Sequence, residues 1–396
     1  MKALLPKIKF KNFDEKWNRK KLHSIAPLRG GFAFKSEKFQ NTGIPIVRIS
    51  NIKFDGTVGG EFEYYSKIIS DEKFVLRGRS ILLAMSGATT GKIAMLDSEE
   101  EYYQNQRVGY FQNTGEVDYD FLSSVLQTKA FTNQLNAVLV AGAQPNISSK
   151  EIDSFEFYIP DLIEEQSAIG YLLRTLDDLL SSYKDNLTNY QALKATMLSK
   201  MFPKAGQTVP EIRLDGFEDR WEEKEFIQIV NRVTESSDSD ALPKVEFEDI
   251  ISGQGKLNKD ISSKFDNRKG ILFKPGYTLY GKLRPYLNNW LLPKFEGVAL
   301  GDFWVFDPNG NNSDFIYYLV QSSRYQKVAN DTSGTKMPRS DWKSVSTTVF
   351  AIPQTIAEQQ AIGAYFSNLD NLINSHQEKI SQLEILKKKL LQDMFI

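Results

Sequence analysis

Two long stretches of the chain carry apolar side chains at seven-residue steps. From Ile163 to Met201, one row runs through Ile169, Leu176, Tyr183, Tyr190 and Met197, and a parallel row through Leu173, Leu180, Leu187 and Met201. A second stretch repeats this with Ile362, Leu369, His376, Leu383 and Leu390 beside Phe366, Ile373, Ile380 and Met394. Steps of seven with a companion row predict long amphipathic helices that need a partner along one face. An Ile-Pro pair precedes each stretch (Ile159 and Pro160, Ile352 and Pro353), and a proline disfavours helix in the residue before it, which sets the start. About 38 residues span about 57 Å, too long to be buried in one small domain.

The second helix is a copy of the first. Ile159-Pro160, Glu165-Gln166, Ala168, Leu176-Asp177 and Met201-Phe202 recur 193 residues later as Ile352-Pro353, Glu358-Gln359, Ala361, Leu369-Asp370 and Met394-Phe395. Further forward, Pro6, Ile8, Phe13 and Trp17 recur 204 residues on as Pro210, Ile212, Phe217 and Trp221. A duplication organises the whole chain, the second copy being shorter by eleven residues. Related by a pseudo-twofold axis, the two helices are expected to pack antiparallel and place the preceding domains at opposite ends. His376 matches Tyr183 in the seam and reads as a packed residue rather than a ligand, as does His23.

Ahead of each helix, short β-rich runs are punctuated by glycine: Ile44–Ile52, Ile81–Met85, Lys92–Leu96, Val108–Gln112, Ile271–Leu279 and Val298–Phe306. Helical stretches follow at Tyr119–Asn136 and Asp314–Ala329. The fold class is therefore α+β: two mixed α/β domains in pseudo-twofold arrangement, joined by two long antiparallel coiled-coil helices. The expected division is 1–158, a helix over 159–205, a second domain over 206–351 and a second helix over 352–396.

Composition narrows the function. The chain has 396 residues, no cysteine and two histidines. Disulfides, thiolate metal sites and cysteine nucleophiles are excluded, and imidazole chemistry has little to work with. No apolar run approaches the roughly 20 residues that cross a bilayer, so a cytoplasmic protein without membrane contact is expected. The net charge of −1 argues against a simple polyanion binder, but charge is segregated. Met1–Lys35 holds ten basic and two acidic residues and Ile251–Phe295 nine and two, whereas Gly206–Ile250 holds five and thirteen.

Catalytic motifs fail on inspection. Gly87, Gly91 and Lys92 resemble a phosphate-binding loop, but three residues separate the glycines where four are needed, and Ile93 replaces the hydroxyl residue. A turn offering amides and Lys92 to a DNA phosphate explains them as well. Asp307-Pro308-Asn309-Gly310 lacks the aromatic of a base-flipping methyltransferase motif and reads as a turn. Pro160-Asp161 with Glu165 lacks a nuclease lysine. These readings favour recognition over catalysis.

The chemistry that base edges and phosphates select is arginine for guanine, amides for adenine and lysine for phosphate. Candidates in the first domain are Arg48, Ser50, Asn51, Ser86, Lys92, Gln104, Asn105, Arg107, Gln144 and Asn146. In the second they are Lys282, Arg284, Tyr286, Asn288, Asn289, Lys336 and Arg339. The loops at Gly142 and Gly334 lie 18 and 19 residues before the prolines of their Ile-Pro pairs and are equivalent.

The paired Phe-x-x-x-Trp openings, the run Gly43–Ile52, the run Ser86–Lys92, and Ile-Pro followed by Glu-Gln and Leu-Asp in both helices resemble the specificity subunit of Type I restriction–modification systems. The resemblance implies two target-recognition domains, each reading half of a split double-stranded DNA site, with the helices as a ruler. It implies two modification (methyltransferase) subunits and, in the full complex, restriction (translocase and endonuclease) subunits. S-adenosylmethionine, ATP and Mg belong to those partners, with no cofactor, metal or catalytic residue in this chain. Half-sites are expected roughly one helical turn, about 10 bp, apart. Glu165, Gln166, Glu358 and Gln359 open the helices and serve either to dock modification subunits or to cap. The rival is a protein-only scaffold that never touches DNA.

Overall fold

A computed structural model describes residues 6–141, 146–261, 267–331 and 337–396. The chain divides into two compact units, Met1–Tyr183 with Lys379–Ile396, and Lys184–Glu378. The two long helices, Ile163–Lys200 and Ile356–Asp393, have 38 residues each, and each contributes one part to either unit.

In the first unit an antiparallel sheet orders Leu28–Arg29, Val108–Phe111, Ser80–Ala84 and Ile93–Leu96, and a second orders Glu63–Tyr65, Ile44–Val47, Tyr102–Gln104 and Val75–Leu76. The only parallel pair in the second sheet is Ile44–Val47 with Tyr102–Gln104. The second unit repeats the first sheet strand for strand with Asn231–Arg232, Phe303–Asp307, Thr278–Gly281 and Trp290–Leu291. Its other sheet shares three strands in the same pairing, Lys244–Val245, Gly297–Ala299 and Gly270–Phe273, but its fourth strand, Ser236–Ser237, flanks the opposite side. In each unit a small ribbon, Asn18–Lys21 with Glu156–Ile159 or Glu222–Glu225 with Val349–Ile352, feeds the chain toward its long helix.

Several long runs expected from sequence are broken by local chemistry. The helical stretch after Tyr119 divides into Tyr119–Val125 and Lys129–Ala141, because the Thr128 hydroxyl accepts the Phe131 N–H and opens a new helix. Ser322 does the same for Tyr325 between Ser313–Leu319 and Ser323–Ala329. The strand expected over Ile271–Leu279 splits at a turn holding Gly276, and that over Val298–Phe306 at Gly301, both at φ +83°.

The heptad rows describe the packing. In the first unit Leu173, Leu176 and Leu180 share a core with Leu383 and Met394, and Lys387 pairs with Asp177. In the second, Tyr190 meets His376 edge to face at 5.1 Å and Lys194 pairs with Asp370 at 2.6 Å. Partner numbers fall on one helix as they rise on the other, so the helices run antiparallel. Tyr183, Leu187 and Tyr190 are half-buried, whereas Ile169, Leu173, Leu176 and Leu180 are buried.

Each helix ends in the core of the unit that precedes the other helix. Phe395 stacks on Phe121 and meets Trp17 edge-on, and Phe202 packs on Phe315 and Phe366. A glycine in the second turn of each helix lets the short helix before it press close: a Cβ on Gly170 would lie 2.5 Å from the Phe121 nitrogen, and one on Gly363 2.7 Å from Asp314 Cβ.

Candidate nucleic-acid interface

In each unit the central sheet ends at a junction of three segments. In the first, the Met85 N–H donates to the Arg107 carbonyl and the Ile147 N–H to the Met85 carbonyl, both at 2.9 Å. In the second, the Lys282 N–H donates to the Asp302 carbonyl at 2.9 Å and the Ser340 N–H to the Lys282 carbonyl at 2.8 Å. Strand register makes the junctions equivalent, since Ala84 faces Val108 as Gly281 faces Phe303. Met85 thus matches Lys282, Arg107 matches Asp302, and Asn146 matches Arg339. Duplication preserved the backbone and replaced what it presents.

Around the first junction lies an open cleft of about 570 Å³ lined by Met85, Ser86, Gly87, Gln106, Arg107, Asn146 and Ile147. The structure therefore brings together three of the expected residues, Ser86, Arg107 and Asn146. Arg107 is exposed and makes no ion pair among the described residues, and the Ser86 hydroxyl is buried without a hydrogen-bond partner among them. Asn105 shapes the turn, its side-chain oxygen accepting the Arg107 N–H at 3.1 Å. Nearby, the turn from Gly87 to Gly91 has both glycines at positive φ, and the Lys92 ammonium sits over the exposed Phe54 ring. Desolvation there lowers the Lys92 pKa from its ordinary value. Arg48 reaches Glu63 at 3.4 Å, and Ser50 is exposed.

In the second unit, the segments Gly281–Asn289 and Met337–Ser340 are joined by the Arg284 N–H donating to the Pro338 carbonyl at 2.7 Å. Arg339 grips Asp302 through Nε at 3.3 Å and Nη2 at 3.1 Å, with Lys282 at 3.8 Å from the same carboxylate. Arg284 and Asn288 hold left-handed backbone at φ 48° and 55°, bracketing an exposed Tyr286. Gln144 and Lys336 lie outside the described residues.

Seven of the expected residues are buried within the fold. Asn51 is sealed inside, donating to the Gly59 and Glu61 carbonyls and accepting the Arg48 N–H. Gln104 bonds the carbonyls of Arg29 and Val108, and Asn289 bonds Phe247 and Ser252. Each of these buried amides is bonded inside the fold, as buried polar groups generally are.

The four helix-opening residues are likewise internal. The Gln166 side chain accepts the Asp118 N–H and donates to the Pro160 carbonyl, each at 2.8 Å. Gln359 does the same with Asn312 and Pro353. Glu165 accepts the Trp17 indole N–H at 3.1 Å, and Glu358 the Trp221 indole N–H at 3.0 Å. Together they clamp the start of each helix onto its domain. Sequence reasoning also passed over Gln106 and Asp302. Gln106 is visible in the sequence as the residue between Asn105 and Arg107 in a turn, and Asp302 as the acidic residue that follows Gly301.

Among the described residues no group of His, Asp and Glu could hold a metal, and no helix is long and apolar enough to cross a membrane. One region is 29% identical over 177 residues to the MjaVIII Type I restriction enzyme specificity subunit of Methanocaldococcus jannaschii, covering 42% of this chain and 40% of that protein. Another match is 27% identical over 195 residues to the EcoAI specificity subunit of Escherichia coli, covering 44% of this chain and 33% of the relative. Each match thus spans less than half the relative's length. The fold is shared with the crystal structure of a Type I restriction–modification S subunit from M. genitalium, at TM-score 0.66, 16% identity and 99% coverage of both chains. A single family model, that of the Type I restriction modification DNA specificity domain, matches twice, at residues 14–190 and 224–385. With both copies of the repeat accounted for by that one model, the chain belongs to the family of Type I restriction modification DNA specificity domains.

Proposed function

We infer that this chain reads DNA sequence for a Type I restriction–modification complex, each unit engaging one half of a bipartite, asymmetric double-stranded site. The observation that carries this reading is the junction built twice: one backbone arrangement presents Ser86, Gln106, Arg107 and Asn146 in the first unit and Lys282, Asp302 and Arg339 in the second. Equal scaffolds with unequal polar tips suit two half-sites of different sequence. The long helices hold the heads apart and set the gap. Methyl transfer from S-adenosylmethionine and ATP- and Mg-dependent restriction belong to two modification subunits and to restriction subunits, and this chain contributes address rather than chemistry.

The test is a footprint of the purified complex, the chain with its co-purifying subunits. Two short protected blocks flanking an unprotected gap are expected. One continuous block contradicts the ruler, and absence of any footprint favours a protein-only scaffold.

A further inference from the structure

The two junctions differ most at one place. Arg107 of the first unit stands free of ion pairs among the described residues, whereas the matching Asp302 is held between Arg339 and Lys282. Arg339 itself matches Asn146, which lines the cleft of the first unit. A guanidinium has two bonding edges. Asp302 occupies the one formed by Nε and Nη2, at 3.3 and 3.1 Å, leaving Nη1 and the remaining Nη2 hydrogen pointing end-on. About half of the Arg339 side chain is exposed, while Asp302 is 28% exposed and lies behind it.

We propose that Asp302 is a positioning residue and that Arg339, held flat by it, reads a guanine in the half-site of the second unit. The inference rests on the DNA-reading role proposed above and assigns residues within it. An exposed ion pair contributes little to folding, because solvent screens it and ordering two side chains costs entropy. At a reading junction the same pair fixes the arginine fork before binding, so less freedom is lost when the O6 and N7 acceptors of guanine are met. Lys282 offsets the carboxylate charge and keeps the cluster net positive toward the phosphates.

A carboxylate beside DNA also has a cost, since it repels the backbone whatever the sequence. Its removal therefore acts in opposite directions on the two properties of the site. Discrimination falls as the fork loosens, and sequence-independent affinity rises as a negative charge leaves.

The experiment is selection from a randomised duplex pool by the purified complex, with wild type, Asp302→Asn and Arg339→Lys, and with binding to a fixed duplex of unrelated sequence measured in parallel. Wild type is expected to select a motif with at least one guanine in one half. Arg339→Lys keeps the charge and the salt slope but loses the preference for that guanine by about tenfold, because a flexible ammonium lacks the planar fork that Asp302 can hold in place. Asp302→Asn relaxes the same position and binds the unrelated duplex more tightly than wild type. If wild type selects a motif that both variants leave unchanged, this inference falls while the DNA-reading role stands. If wild type selects no motif at all, both fall together. Relaxation of a different position by Asp302→Asn, or weaker binding of that variant to the unrelated duplex, also overturns the positioning role.

Discussion

The same clamp is built twice and finished differently. In the second unit Glu358 accepts from Trp221 and from both ends of the Arg213 fork, Nε at 2.7 Å and Nη2 at 2.8 Å. In the first, Glu165 accepts from Trp17, and its second oxygen is buried with no hydrogen-bond partner among the described residues. The residue matching Arg213 is Lys9, displaced by the same 204 positions as the flanking repeat, and it pairs with Asp14 instead. Burial accordingly pushes the Glu165 carboxyl above its ordinary pKa, with Trp17 and Lys9 only partly offsetting it. Beside Glu358 the Arg213 guanidinium is held more firmly charged than usual. A planar fork can satisfy two carboxylate oxygens where a flexible ammonium can be drawn away, so one arginine-to-lysine difference separates a complete clamp from an incomplete one.

The largest expected effect is in the complete clamp. Arg213→Ala leaves the buried Glu358 with one of its three hydrogen bonds and should destabilise the second unit by about 3 kcal/mol, whereas Lys9→Ala should cost the first unit less than about 1 kcal/mol. Native-state hydrogen exchange, read separately at amides of the two units, measures both. Equal costs would mean that the clamps are equivalent and that the comparison fails.

Next come the helix glycines. Gly170→Ala meets backbone at 2.5 Å and should cost about 2 kcal/mol, and Gly363→Ala, which meets a side-chain carbon at 2.7 Å, should cost less. Thermal unfolding ranks them, and a neutral Gly170→Ala would show that the contact gives way.

The pH prediction is smaller and has a definite sign. Glu165 has a folded pKa raised above its unfolded value, so folding favours its protonated form. Its contribution is most favourable below the unfolded pKa and is lost as pH rises through the folded one. Glu165→Gln should flatten this dependence in the first unit while keeping the bond from Trp17. An unaltered stability profile against pH would remove Glu165 as its source. Smallest of all, Lys9→Arg should supply the missing fork and stabilise the first unit by about 0.5–1 kcal/mol, again read by local exchange; a loss of stability would contradict the proposed cause of the difference.

The long helices were legible because burial there follows a period, and Ile169, Leu173, Leu176 and Leu180, drawn from both rows, are buried where the pattern puts them. Turns that need positive φ, at Gly87, Gly91 and Gly310, were legible for the same kind of reason: the backbone demands a residue type. Polar residues were not. Asn51, Gln104 and the four helix openers have the composition of a binding surface, yet they are spent on partners inside the fold, and only the fold distinguishes the two uses. The duplication could have exposed the reading junction. Asn146 and Arg339 are 193 positions apart, the offset already fixed by the helices, which makes them one site with two side chains.

The central claim is that the antiparallel helices act as a ruler between two reading heads. The most direct test inserts one heptad into each helix, after Leu187 in the first and after Ile380 in the second, and selects the bound sequence from a randomised duplex pool. The account predicts that both half-site sequences are retained and that the gap between them lengthens by about two to three base pairs, from a helix extension of roughly 10 Å. An unchanged gap, with binding intact, would contradict it.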